Sequence, residues 1–202
     1  TSNGNLSVTT SSSNLVINEP INTGNGTVDL TAVAILDINS TIVTTTATGD
    51  ITLISDTGNS ITLAGNITTT GGDVSFSDNL TIDAGTVTVD TGATANGVVT
   101  FTGTVGGLGN NLNVLSGSSS IVISSDFPGV TKLSRLSLTG NTSTTQDIDV
   151  TNLQLLGTAN YSLTGANDFD TVAVNVDGTI TIIDATALTV DTVNGTAGIT
   201  TV

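Results

Sequence analysis

Oxygen is the one ligand chemistry that the sequence offers in quantity. Its densest cluster is Thr164-Gly165-Ala166-Asn167-Asp168-Phe169-Asp170. Carboxylates, side-chain amides and turn carbonyls suit a hard cation such as calcium. Asn167, Asp168 and Asp170 are therefore the candidate metal ligands, and calcium is the only cofactor the sequence suggests. The spacing of Gly and Asp is similar to that of nonapeptide β-roll calcium turns, without their repeated GGxGxD pattern. Asn and Asp also favour turns in the absence of metal, because they tolerate the left-handed conformation and bond nearby backbone.

Two carboxylates suffice for glycoside hydrolysis, and the nearest pairs are Asp147/Asp149 and Asp168/Asp170. An i, i+2 pair shares one face of a strand. A sugar site normally adds aromatic platforms, yet Tyr161 is the sole Tyr and Trp is absent. With no His and no Cys, Ser-His-Asp and Cys-His nucleophiles and His-containing zinc sites are impossible within the chain. The expectation is a protein that is not an enzyme. The two basic residues, Lys132 and Arg135, read as solvated charges.

Threonine suggests a further class. Thr44-Thr45-Thr46 and Thr68-Thr69-Thr70 lie about one repeat apart, and a flat outward Thr face can bind ice. The next repeat offers Thr86, Thr88 and Thr91 at a different spacing, so the array is not sustained. Thr on the solvent side of a strand is also simply a good strand residue. Triplets such as Asn39-Ser40-Thr41, Asn66-Ile67-Thr68 and Asn194-Gly195-Thr196 are expected by chance in this composition.

The formal net charge is −15, from seventeen acidic and two basic residues. Phosphate backbones and anionic bilayers repel such a chain, which argues against nucleic-acid and membrane-surface partners. No apolar run approaches the roughly 18 residues that a membrane span needs.

A marker of the form Gly-x-apolar-x-apolar organises these residues. It appears as Gly4-Asn5-Leu6-Ser7-Val8, Gly26-Thr27-Val28-Asp29-Leu30, Gly49-Asp50-Ile51-Thr52-Leu53, Gly72-Asp73-Val74-Ser75-Phe76 and Gly97-Val98-Val99-Thr100-Phe101, in steps of 22, 23, 23 and 25 residues. Such a period signals units that bury their apolar faces only by stacking on neighbours. Helix formers are scarce: one Glu, one Lys, one Arg, two Gln and no Met. Hydrophobic residues make up 37% but aromatics only 2%, which fills a narrow aliphatic core rather than a wide one. Within each period the alternation breaks into about three short strands separated by turns such as Asp56-Thr57-Gly58-Asn59.

These features predict an all-β parallel β-helix, a β-solenoid of 22–25 residues per coil, with about nine coils and a length of about 40 Å at a coil spacing of about 4.8 Å. The inward positions are Val28, Leu30, Ile51, Leu53, Ile61, Leu63, Val74, Phe76, Leu80, Ile82, Val99 and Phe101. An antiparallel β-sandwich is the alternative; the period and the scarcity of aromatics favour the solenoid. Residues 1–202 read as one segment, regular over 1–106 and irregular over 107–202, where longer coils or a second β domain are both open. Repeat-like sequence at both ends suggests a piece of a larger assembly.

The runs Gly65-Asn66-Ile67-Thr68-Thr69-Thr70-Gly71-Gly72-Asp73-Val74-Ser75-Phe76, Leu80-Thr81-Ile82-Asp83-Ala84-Gly85-Thr86-Val87-Thr88-Val89 and Val99-Thr100-Phe101-Thr102-Gly103-Thr104-Val105-Gly106-Gly107 resemble the repeats of filamentous-haemagglutinin-like bacterial surface exoproteins. These are adhesins of the two-partner secretion or autotransporter type. The likeness covers residues 20–116. It implies a right-handed parallel β-helix without catalytic residues, an extracellular cell-surface location, and a role in adhesion, biofilm or filaments.

The expected function is thus a structural or adhesive extracellular rod. A calcium- or carbohydrate-binding surface module and an ice-binding solenoid are alternatives. Expected partners are copies of the chain stacked end to end, or flanking parts of a longer chain, and surface glycans. Neither nucleic acid nor membrane insertion is expected.

Overall fold

The structure is a computed structural model that describes residues 4–56, 58–92, 97–128 and 132–201. Alternating β-branched apolar and small polar residues hold the chain extended with every second side chain inward. Among the described residues there is no helix.

The first five coils have three strands each. They are β1 (Leu6–Thr9), β2 (Leu15–Ile17) and β3 (Ile21–Gly24); β4 (Val28–Ala32), β5 (Leu36–Ile38) and β6 (Ile42–Thr44); β7 (Ile51–Ser55), β8 (Ser60–Leu63) and β9 (Ile67–Thr68); β10 (Val74–Phe76), β11 (Asn79–Ile82) and β12 (Thr86–Asp90); and β13 (Val99–Phe101), β14 (Val105–Gly106) and the start of β15 (Asn111–Ile123). Each strand pairs in parallel with its equivalent one coil away, which gives three ladders of stacked strands. The chain is a parallel β-solenoid.

The remaining strands are β16 (Leu133–Thr144), β17 (Asp149–Gly157), β18 (Tyr161–Val176), β19 (Ile180–Asp184), β20 (Thr189–Val190), β21 (Thr192–Val193), β22 (Thr196–Ala197) and β23 (Ile199–Thr201). β15 and β16 run without a break from the third face of one coil onto the first face of the next. The middle face ends as a regular sheet at β14. Its place is taken by the single bridge Phe127↔Ile148 and then by the pairs Asp149↔Asp168 and Val150↔Phe169.

Along the first face the register passes from Leu6 through Val28, Ile51, Val74, Val99, Ile121, Thr142 and Tyr161 to Ile180, in steps of 22, 23, 23, 25, 22, 21, 19 and 19 residues. These nine residues open coils one to nine. The later coils are shorter, where the sequence suggested longer ones.

Columns of like side chains form the core. One column on the third face reads Ile21, Ile42, Ile67, Val89, Val114, Leu138, Leu155, Val174 and Ile199. All twelve inward positions expected from the alternation are buried, at 0–2% exposure. Burying a large aliphatic side chain is worth about 1.5–3 kcal/mol, so a column of this kind is the main source of stability. Phe76 stacks on Phe101 at 5.2 Å between centroids, and Phe127 meets Phe101 edge-on at 6.0 Å.

The marker glycines have a steric cause. A Cβ on Gly72 would lie 2.5 Å from the Gly49 carbonyl oxygen, and one on Gly97 would lie 2.5 Å from that of Gly72. The corner where coil follows coil leaves no room for a side chain. Beside it a buried threonine bonds the marker's carbonyl: Thr23 to Gly26 at 2.7 Å, Thr44 to Gly49 at 2.6 Å, Thr69 to Gly72 at 2.5 Å and Thr91 to Gly97 at 2.8 Å. These hydroxyls satisfy acceptors that the ladder leaves over at the turn.

Candidate functional site

The three candidate cation ligands lie in β18, where strict alternation divides them. Asn167 points inward and is fully buried, while Asp168 and Asp170 point outward. Asn167 Oδ1 accepts the Ile148 N–H at 3.0 Å. Its Nδ2 donates to the carbonyls of Leu163 at 3.2 Å, Gly165 at 3.1 Å and Ile183 at 2.6 Å. Asn167 is therefore an internal staple that ties three coils together, and the structure does not bring it to the two carboxylates.

Register explains the surroundings of Asp168. Asp149 sits one coil below it, and Leu133↔Val150 places Lys132 next to Asp149. The Lys132 side chain reaches across Asp149 to the Asp168 Oδ2 atom, at 2.5 Å. The other oxygen of Asp168 accepts the Thr186 hydroxyl at 2.9 Å. The hydrogen bond from Lys132, helped by that from Thr186, holds the Asp168 carboxyl below the usual carboxylate range. The same bond raises the Lys132 ammonium, with Asp170 and Asp149 adding attraction. Among the described residues no three acidic groups are arranged to hold a metal ion.

Arg135 is not a free surface charge either. Its Nη2 donates to Asn113 Oδ1 at 3.0 Å, burial lowers its pKa, and its Nε is buried without a partner.

The carboxylate pair Asp147/Asp149 is likewise engaged. Asp147 Oδ1 accepts the Ala166 N–H at 2.6 Å, and its own N–H donates to Asp126 Oδ1 at 2.9 Å. This belongs to a wider pattern in which an Asx side chain at a turn accepts an N–H of a neighbouring coil. Asp50 serves Asp73 at 2.9 Å, Asp73 serves Val98 at 2.7 Å, Asn79 serves Thr104 at 3.0 Å and Asn66 serves Thr88 at 2.9 Å. These side chains extend the ladder across corners where strand pairing lapses.

The threonine runs are divided too. Thr44, Thr69 and Thr91 are buried corner residues, leaving Thr45, Thr46, Thr68, Thr70, Thr86 and Thr88 outside.

Single-residue reading missed a groove of about 610 Å³ on the outer side of the first face, over coils six to nine. One outward column holds Ser120, Asn141, Asn160 and Thr179; beside it stand Val122, Ser143, Ser162 and Thr181. The spacing of Ser120, Asn141, Asn160 and Thr179, 21, 19 and 19 residues, carried the signal. It was hidden because the period shortens there. No charged side chain lines the groove.

No family model, curated protein or solved structure matches this chain.

Proposed function

We propose that the chain is a non-catalytic structural segment of an extracellular rod, a stalk or filament of a bacterial surface adhesin. The observation that carries this reading is the state of the two ends of the core. Leu6, Val8, Leu15, Ile17 and Ile21 are only partly buried in coil one. In coil nine Ile180 and Ile182 are partly buried, while Val190 and Ile199 are 53% and 54% exposed. The first and last coils present the same apolar columns that are dry in between, and their outer strand edges have no strand partner among the described residues. Such edges recruit another strand unless they are covered. Another coil, from a second copy or from flanking chain, is the natural cover, and each addition gains one neighbour interface. The sequence resemblance to filamentous-haemagglutinin-like repeats supports the adhesin setting, and the acidic sides disfavour lateral clumping.

Electron microscopy and fibre diffraction of the concentrated protein test end-to-end stacking, with and without a calcium chelator. Filaments with an axial repeat of about 4.8 Å are expected. Their loss on chelation would make calcium part of the assembly. A monodisperse monomer at high concentration would sink stacking between copies.

A further inference from the structure

The groove over coils six to nine differs in charge from the same face of coils three and four, while its corner bond is the one that Asn5 also makes to the Thr27 N–H in coil one, at 3.1 Å. In coils three and four the corner caps of the first face are the carboxylates Asp50 and Asp73. In coils seven and eight the equivalent caps are the amides Asn141 and Asn160. Asn141 Oδ1 accepts the Asn160 N–H at 2.8 Å, and Asn160 Oδ1 accepts the Thr179 N–H at 2.8 Å. The structural bond is the same, so stacking does not demand the change from acid to amide. Its effect is a neutral lane on a chain of net charge −15. Within that lane Asn160 Nδ2 and the hydroxyls of Ser143, Ser162, Thr179 and Thr181 have no hydrogen-bond partner among the described residues. They present donors and acceptors outward in register from coil to coil.

We propose that this groove binds a neutral linear polysaccharide laid along the rod axis, with successive sugars meeting successive coils. Hydroxyls and amides that both donate and accept suit a ligand that is itself a lattice of hydroxyls. A polyanion is repelled by the surrounding charge, and a polycation is drawn to the acidic flanks rather than to the lane. An extended peptide gains its main-chain bonds at a sheet edge, whereas the groove lies on a sheet face. The groove has no exposed aromatic ring to stack on, so one groove binds weakly. Useful strength would come from many grooves on one polymer.

This inference goes beyond the rod reading and does not depend on assembly, because the test uses dispersed protein. Isotope-labelled protein is titrated with cellohexaose, mannohexaose and chitohexaose in turn, with oligogalacturonate as the charged control, and amide shifts are followed. The expected result is a saturable millimolar response to at least one neutral hexasaccharide, confined to residues 118–123, 141–143, 160–162 and 179–181 and absent with oligogalacturonate. Ser162→Asp places a charge in the lane and should weaken that response about tenfold or more. Asn175→Asp, exposed elsewhere on β18, should leave it unchanged. No response to any of the three neutral probes, a response spread over the surface, or one indifferent to Ser162→Asp would overturn the proposal. Amide spectra of both variants that overlay the parent outside the substituted site show that folding is not the cause.

Discussion

Asp50 and Asp73 in the first half of the rod make the same corner bond as Asn141 and Asn160 in the second, and the two halves differ elsewhere as well. The described residues of 4–106 form three-strand coils whose first-face column, from Leu6 to Val99, is apolar. Residues 111–201 form shorter coils from long bent strands, and the first-face column there includes Thr142 and Tyr161. Thr142 bonds the Gly140 carbonyl at 3.1 Å, and Tyr161 accepts the Gly140 N–H at 3.2 Å while facing the carbonyls of Leu138 and Leu156, each at 2.8 Å. A polar group can therefore occupy an inward position when the turn supplies its partner. Both halves combine burial with internal hydrogen bonds; in the first the inward polar groups keep to the corners, and in the second they also enter the first-face column.

The largest effect is expected at the boundary between the halves. Phe101 touches Phe76 on one side and Phe127 on the other. Phe101→Ala should cost about 3–5 kcal/mol. Hydrogen exchange at Val89 and Val174 would show whether the loss is shared; exchange that speeds up in one half alone would divide the rod into two folding units.

Next comes the corner. Gly72→Ala drives a methyl against the Gly49 carbonyl and should cost about 1–3 kcal/mol in denaturant melts. Gly85→Ala, with nothing within 4 Å of the added Cβ, should be silent. Equal effects at the two sites would refute the steric account of the marker.

Thr69→Val removes the donor to the buried Gly72 carbonyl and should cost about 1–2 kcal/mol. Thr142→Val makes the parallel test in the second half, where the bond is longer and a smaller loss is expected.

The smallest effect is electrostatic. Asp168 is depressed, so its stabilisation is present above the ordinary carboxylate range and fades as pH falls through its lowered value. Lys132 is raised, so its share holds below the ordinary lysine range and fades as pH climbs through the raised value. The pair is part-exposed and worth about 0.2–1 kcal/mol. The stability difference between parent and Lys132→Met should be flat through neutral pH and shrink in acid. A difference that persists below the carboxylate range would mean that Lys132 acts through packing alone.

Much of the first half was legible in the sequence because its inward positions obey a two-residue rhythm, as Ile51/Leu53 and Val74/Phe76 show. The corner threonines were not, since Thr69 is embedded in Thr68-Thr69-Thr70 and nothing in composition says which of three identical residues turns inward. The second half blurred where Thr142 and Thr144 stand at inward positions, so the rhythm breaks although the register does not. Asn167 looked like a ligand because Asn beside Asp is what an oxygen site and a structural staple have in common. The choice rests on which face of β18 it occupies, and one isolated cluster does not reveal that.

The continuous register has a mechanical consequence. Pulled by its two ends, a rod whose coils pair in register with their neighbours unwinds from a terminus one turn at a time. Each of the first coils then frees roughly 75–85 Å of thread at about 3.4 Å per residue, and each of the later, shorter ones nearer 65 Å. A force trace would show a train of near-equal drops whose stride shortens in the second half. Such a thread yields to a steady load in instalments rather than at once.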